Sequence, residues 1–123
     1  MSSNINISDS EWKVMEVVWN EPGITIGLIR AALESEGWSY STIKTLVIRL
    51  VKKGALRTEE SERGKCYYAA VNERECKTRE TRNFLDRIYN GSVKRMVSNL
   101  VMESSLSEED VKELMKLVDK MED

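Results

Sequence analysis

Histidine is absent from this chain of 123 residues, and with it the side chain that most often serves as a general base near neutral pH. Zinc sites of the histidine-containing kinds are excluded as well. The cysteines, Cys66 and Cys76, form no close metal-type pair; a reducing compartment keeps them as thiols, and they read as small, partly buried side chains. There is no Gly-x-x-x-x-Gly-Lys loop to cradle a phosphate and no Gly-x-Ser-x-Gly elbow. The carboxylates cluster on charged helical faces, where solvated surface is the default. Catalysis is therefore not expected, and no catalytic residue, metal ligand or cofactor is assigned. Residues 1–6 lack the basic patch and apolar run of an export signal, and no segment approaches the roughly 20 apolar residues of a membrane span. The expected location is the cytoplasm, without direct membrane insertion. Methionines Met15, Met96, Met115 and Met121 fall on apolar stripes, so core filling accounts for them better than a soft-metal box.

What is present is a segregated charge. The formal net charge of -2 hides a basic middle: residues 39–65 carry seven basic and three acidic groups, a local excess of seven minus three, or +4. Residues 1–38 carry two basic against six acidic groups, and residues 100–123 carry three against eight. Such separation leaves one surface suited to a polyanion while the overall balance weakens non-specific attraction.

Periodicity supplies the elements. Ser8-Asp-Ser-Glu11 matches a capping box, and Trp12, Met15, Val18 and Trp19 form a stripe that predicts a helix over residues 9–20, stopped before Pro22 and Gly23. Thr25 is placed to cap a second helix running through Glu36, with Leu28, Ile29, Ala32 and Leu33 on its buried side. Gly37 ends it, and the short passage into the next helix is what a helix-turn-helix requires. Ser39 or Ser41 caps the third helix, in which Ile43, Leu46, Val47 and Leu50 form the core stripe and Gly54 supplies the stop. Residues 55–60, a polar turn around Arg63 and Gly64, and residues 66–71 read as a β-hairpin with a basic tip. Helix, helix, helix, hairpin is the order of a winged helix-turn-helix. The expected fold is mainly α with a small β-hairpin, divided into a DNA-binding domain over residues 1–71 and a C-terminal helical dimerisation region over residues 72–123.

An α-helix fits the major groove, where side chains near its entering end reach base edges and flanking groups hold phosphates. The candidate DNA-binding set is therefore Ser39, Tyr40, Ser41, Thr42, Lys44, Thr45, Arg49, Lys52, Lys53, Arg63 and Lys65. Ser41, Thr42 and Thr45 are positioned for base edges, Lys44 for bases or backbone, and Arg49, Lys52 and Lys53 for phosphates. Arg63 and Lys65 extend the phosphate contacts from the hairpin tip. Tyr40 either stacks on a sugar or covers the turn. Beyond the hairpin, Val93, Met96, Val97, Leu100 and Val101 form one stripe, and Val111, Leu114, Met115 and Val118 another after a cap at Ser107. So much apolar surface exceeds what the small domain can cover, which predicts a two-fold homodimer.

Several ordered motifs now line up: Ile7-Ser-Asp-Ser-Glu-Trp12, Val17-Val-Trp19, Trp38-Ser39, Thr42-Ile-Lys-Thr-Leu46, Arg49-Leu50, Lys52-Lys-Gly54, Tyr67-Tyr68, Asn83-Phe84 and Tyr89-Asn-Gly-Ser92. Across nearly its whole length the chain resembles the BlaI/MecI/CopY family of bacterial repressors. The resemblance implies a winged-helix homodimer on a palindromic double-stranded DNA operator, repressing β-lactamase, methicillin-resistance or copper-homeostasis genes. The copper-responsive branch ends in a Cys-x-Cys type motif, whereas no cysteine follows Cys76 here, so copper sensing is the disfavoured branch. The β-lactam branch is cut by a membrane-linked sensor protease pathway at an Asn-Phe bond in the dimerisation region. The corresponding bond here is Asn99-Leu100, with Leu in place of Phe. Tyr40 and Ser41 stand where family members often carry Pro and Lys, which points to an operator preference departing from the family's TACA/TGTA half-sites. A rival of another class is a winged-helix protein-interaction module whose basic helix meets an acidic protein surface; it would show no preference among DNA duplexes.

Overall fold

A computed structural model describes residues 5–103 and 106–121, apart from the side chains of Val118 and Met121. Packing divides the chain into two compact units, residues 1–75 and 76–123.

The first unit opens with α1 (Asp9–Asn20). Its capping box is complete: the Ser8 hydroxyl accepts from the Glu11 amide at 3.2 Å, and the Ser8 amide donates to Glu11 Oε1 at 2.9 Å. Val14, Met15 and Val18 are fully buried. Gly23 follows at φ +83°, where an added Cβ would meet the Tyr68 hydroxyl at 3.0 Å, so both the backbone and the close approach of Tyr68 require glycine. Strand β1 (Ile24–Thr25) leads into α2 (Ile26–Ala32), whose start is capped by the Thr25 hydroxyl.

The second helix is shorter than its sequence pattern predicts. It ends at Ala32; Leu33 leaves helical geometry at φ -105°, ψ 22°, and residues Glu34–Glu36 make a tight 3-10 turn closed by Gly37 at φ +72°. Two carboxylates in the last turn would face the negative end of the helix, an arrangement the dipole disfavours, and the tighter turn still satisfies the orphan carbonyls. On the shortened helix Ile29 and Leu33 are buried, while Leu28 and Ala32, expected on the inner side, are exposed.

Helix α3 (Tyr40–Lys53) takes Ser39 as its cap, the hydroxyl accepting from the Thr42 amide at 3.1 Å, and ends on Gly54 at φ +84°. Its four stripe residues Ile43, Leu46, Val47 and Leu50 are all buried. Strands β2 (Leu56–Ser61) and β3 (Gly64–Ala69) form the hairpin, and β1 joins β3, giving an antiparallel sheet in the order β1-β3-β2. Ser61 pairs with Gly64 across a turn of Glu62 and Arg63. Gly64 carries the positive φ of +99°, which fits a tight turn followed by a glycine bulge rather than a turn with two left-handed central residues. Trp19 Nε1 donates to the Val71 carbonyl at 3.1 Å, fixing α1 against the exit of the hairpin.

Helix α4 (Glu73–Tyr89) begins in the first unit and continues into the second. Asn90 and Gly91, at φ 51° and 81°, break the chain before α5 (Val93–Glu103), capped by Ser92. Ser107 caps α6 (Glu108–Met121), its hydroxyl accepting from the Asp110 amide at 3.1 Å. No described helix is long and apolar enough to cross a membrane.

Candidate nucleic-acid interface

With one face of α3 committed to the core, the opposite face is free. Tyr40, Ser41, Thr42, Lys44, Thr45, Arg49 and Lys52 are all exposed. Their hydroxyls are partly committed already. Ser39 donates to the Thr42 hydroxyl at 3.1 Å while capping the helix. Thr45 donates to the Ser41 carbonyl at 3.0 Å, which leaves Thr45 two lone pairs and a methyl for an incoming group. Such a residue accepts from an exocyclic amine or touches a thymine methyl; it does not donate without breaking the existing bond.

Lys53 is placed differently from its neighbours. Its ammonium lies 2.5 Å from Glu11 Oε1 and 2.7 Å from the Asn6 carbonyl, so the last turn of α3 is tied to the capping box of α1. Glu11 is buried, with 2 % of its surface exposed. Burial pushes its carboxyl up, but the Lys53 ammonium and the Ser8 amide and hydroxyl outweigh that, and the net result is a lowered pKa. Lys53 therefore spends its charge on a buried partner. Arg49 and Lys52 make no ion pair with a described residue.

At the hairpin, Lys65 is exposed and Arg63 reaches back so that its Nη2 donates to the Gly23 carbonyl at 3.3 Å. That bond orients the guanidinium without neutralising it. Arg57, on β2, forms an ion pair with Glu59 and lies 4.5 Å from the centre of the Tyr68 ring, so its charge is in use within the wing. Tyr40 is 47 % exposed. Tyr67 is pushed up first by burial and then by Tyr40 and Glu60, so its phenol stays neutral through the physiological range.

The helix face carries one residue absent from the candidate set read from sequence. Ile48 is 43 % exposed, between Lys44 and Lys52 along the helix. Its position was legible, since it lies about 150° from the centre of the buried stripe at about 100° per residue.

In the second unit, Val97 is buried, Val93, Met96, Val101, Val111 and Leu114 are half-buried, and Leu100 and Met115 are exposed at 42 % and 43 %. The Val118 side chain lies outside the described residues. An apolar groove of about 310 Å³ between α5 and α6 is lined by Val97, Val101, Met102, Val111 and Met115, among others. Asn99 and Leu100 both lie inside α5, and the Asn99 amide donates to the Tyr89 hydroxyl at 3.0 Å.

Compared with known proteins, residues 7–120 match the family described as penicillinase repressor. The chain belongs to that family. Its relatives include the penicillinase repressor of Bacillus licheniformis, 35% identical over 114 residues that cover 92% of this chain and 89% of that one. The methicillin resistance regulatory protein MecI of Staphylococcus aureus strain N315 is 31% identical over 115 residues, 93% of this chain and 94% of its own. Among solved structures, the monomeric form of Bacillus licheniformis BlaI in complex with the blaP half-operator is 35% identical, with a TM-score of 0.52 over 58% of this chain and 90% of that one. The penicillinase repressor family is one of transcriptional repressors rather than enzymes, and the first unit has its winged helix-turn-helix.

Proposed function

We propose that the chain is a sequence-specific DNA-binding repressor that acts as a homodimer on a palindromic operator, in a regulon of the β-lactamase and antibiotic-resistance type. The observation that carries this reading is the outer face of α3, where Ser41, Thr42, Lys44, Thr45, Arg49 and Lys52 are exposed together on a scaffold similar to BlaI held on a half-operator. Ser41, Thr42 and Thr45 meet base edges in the major groove; Arg49, Lys52, Arg63 and Lys65 hold phosphates, and Lys44 serves either. Ser39 contributes through the cap that sets the helix start, and Tyr40 lies beside the first contacted sugar. Lys53 holds α3 against α1 and contributes little to phosphate binding.

The half-buried stripes of α5 and α6 supply the dimer contact, because a single copy leaves Leu100, Met115 and the groove beside them in water. Two-fold symmetry then sets half-site centres about 34 Å apart, or a multiple of that. Release follows from cleavage at Asn99-Leu100 by a membrane-linked sensor protease pathway, which would sever the stripe. Because this bond is helical, α5 opens locally before it is cut.

In-vitro selection from random duplex DNA, followed by gel shift at several salt concentrations, tests the reading. Enrichment of a palindrome supports it. A protein that enriches no sequence is not this repressor, and enrichment without two-fold symmetry removes the homodimer.

A further inference from the structure

Ile48 is the one large aliphatic side chain that α3 leaves exposed, at 43 %, and it stands in the middle of the helix's polar face. Ser41 lies seven residues before it, Lys44 and Thr45 four and three before it, and Lys52 four after it, all within the same outward sector. A β-branched side chain there is a poorer helix former than the lysine or arginine that flank the position. The major groove offers one apolar group to such a side chain, the C5-methyl of thymine. We propose that Ile48 reads a thymine methyl in each half-site and so sets part of the operator preference, an inference that rests on α3 entering the major groove as proposed above.

Spacing along the helix bounds where that thymine lies. Seven residues advance about 10.5 Å along α3, at most about three base steps of 3.4 Å when projected on the duplex axis. The contacted thymine is therefore within about three base pairs of the base edge met by Ser41, toward the end of the site reached by Lys52. Thr45, one turn earlier, has its hydroxyl proton committed to the Ser41 carbonyl and presents a methyl and lone pairs beside the same contact. The two residues together favour a thymine with an amino-bearing neighbour.

Uracil provides the test, since it differs from thymine only in lacking that methyl. Full-length protein and its Ile48→Ala variant are titrated against the selected operator, with each thymine replaced in turn by uracil in both half-sites. For the parent protein, one symmetric position should weaken binding about four-fold per half-site, the value of one buried methyl. In Ile48→Ala the same replacement should change affinity less than about two-fold, because the partner methyls are already gone. Equal thermal midpoints for the two proteins show that the exposed substitution leaves the fold intact. The assignment to Ile48 is overturned if no uracil position affects the parent, or if the sensitive position affects Ile48→Ala equally. Either result leaves sequence-specific binding standing, whereas a parent protein without a selected operator overturns the functional reading itself.

Discussion

Replacing Lys53 by methionine separates two roles for this cation that sequence alone cannot separate. Methionine keeps the length and apolar stem but removes the ammonium that lies 2.5 Å from Glu11 Oε1. Glu11, 2 % exposed, would then keep only the Ser8 contacts. Stranding one member of a fully buried pair costs about 3 to 5 kcal/mol. The Lys53 side chain is itself 34% exposed, so water reaches one side of the site, and about 2 to 3 kcal/mol is the expected loss. For a chain of this size that lowers the thermal midpoint by about 8 to 12 °C. Glu11→Gln removes the charge that Lys53 answers, and the double variant Glu11→Gln/Lys53→Met should recover at least about 1 kcal/mol of the summed single losses. The sign with pH is equally specific. In the parent the Glu11 pKa is lowered from 4.5, so its contribution is complete above that value and is lost as pH falls through the lowered one. Without Lys53 burial still pushes the Glu11 carboxyl up and only Ser8 opposes it, so its pKa is higher than in the parent, and the stability gap between Lys53→Met and parent should narrow as pH falls through the two values. Calorimetry at pH 7 and in steps below pH 4.5, at fixed protein concentration because assembly shifts the midpoint, reads both. Gel shifts against salt complete the assay, and the slope should be unchanged in Lys53→Met, where loss of a phosphate contact would reduce it by about 0.9. A variant with the parent's midpoint and a reduced slope would show that Lys53 serves DNA and that the cap network is incidental.

The remaining face is open to similar tests. Arg49→Ala should weaken binding to every duplex and reduce the salt slope by about 0.9 per protomer, while Thr45→Ala should alter the ranking of operator variants by about 1 to 3 kcal/mol at one base pair, both read by titration at three salt concentrations. Leu100→Asp, at an exposed position of the α5 stripe, should shift sedimentation from dimer to monomer at micromolar concentration without lowering the midpoint of the first unit; a dimer that persists would place the contact elsewhere. Gly23→Ala meets both the positive φ and the Tyr68 hydroxyl at 3.0 Å, and should cost about 1 to 3 kcal/mol in denaturant unfolding.

Much of this architecture was legible because its signals are local. The capping box at Ser8, the stop at Gly54 and the stripe through Ile43, Leu46, Val47 and Leu50 each depend on residues within about two turns of one another, and the structure shows them as read. The short strand β1 is too brief to carry a periodicity of its own, and its pairing of Ile24 with Tyr67 joins residues far apart in sequence. The end of α2 was misjudged for a different reason: Glu34 and Glu36 fit a helical pattern by composition, but they fall at the wrong end of the dipole, and Glu36 gains an ion pair with Lys13 at 2.7 Å from outside the helix. Lys53 sits about 70° from the centre of the buried stripe, a boundary position from which a long side chain can turn either outward or inward. Only the presence of a buried carboxylate on α1 decides which, and that carboxylate is distant in sequence.

The distribution of charge bears on how repression would be released. With a formal net charge of -2 and a local excess of +4 over residues 39–65, the third helix and hairpin attract phosphate over a small area, while the acidic excess lies in residues 1–38 and 100–123. On that balance a single winged domain would bind one half-site modestly, and non-specific sites in a genome would compete poorly for it. In the proposed homodimer, joining two such domains would raise apparent affinity by about 10² to 10⁴ when both half-sites are engaged together. The proposed joining element is also sparsely buried: α6 buries none of its described side chains completely, and α5 buries Val97 alone. A cut within α5 would therefore leave each winged domain folded on its own core, still shaped for DNA, yet short of the avidity that kept it there. Because the proposed DNA-reading surface and the proposed dimer stripe lie in separate units, proteolysis within the stripe would end repression without unfolding the reader.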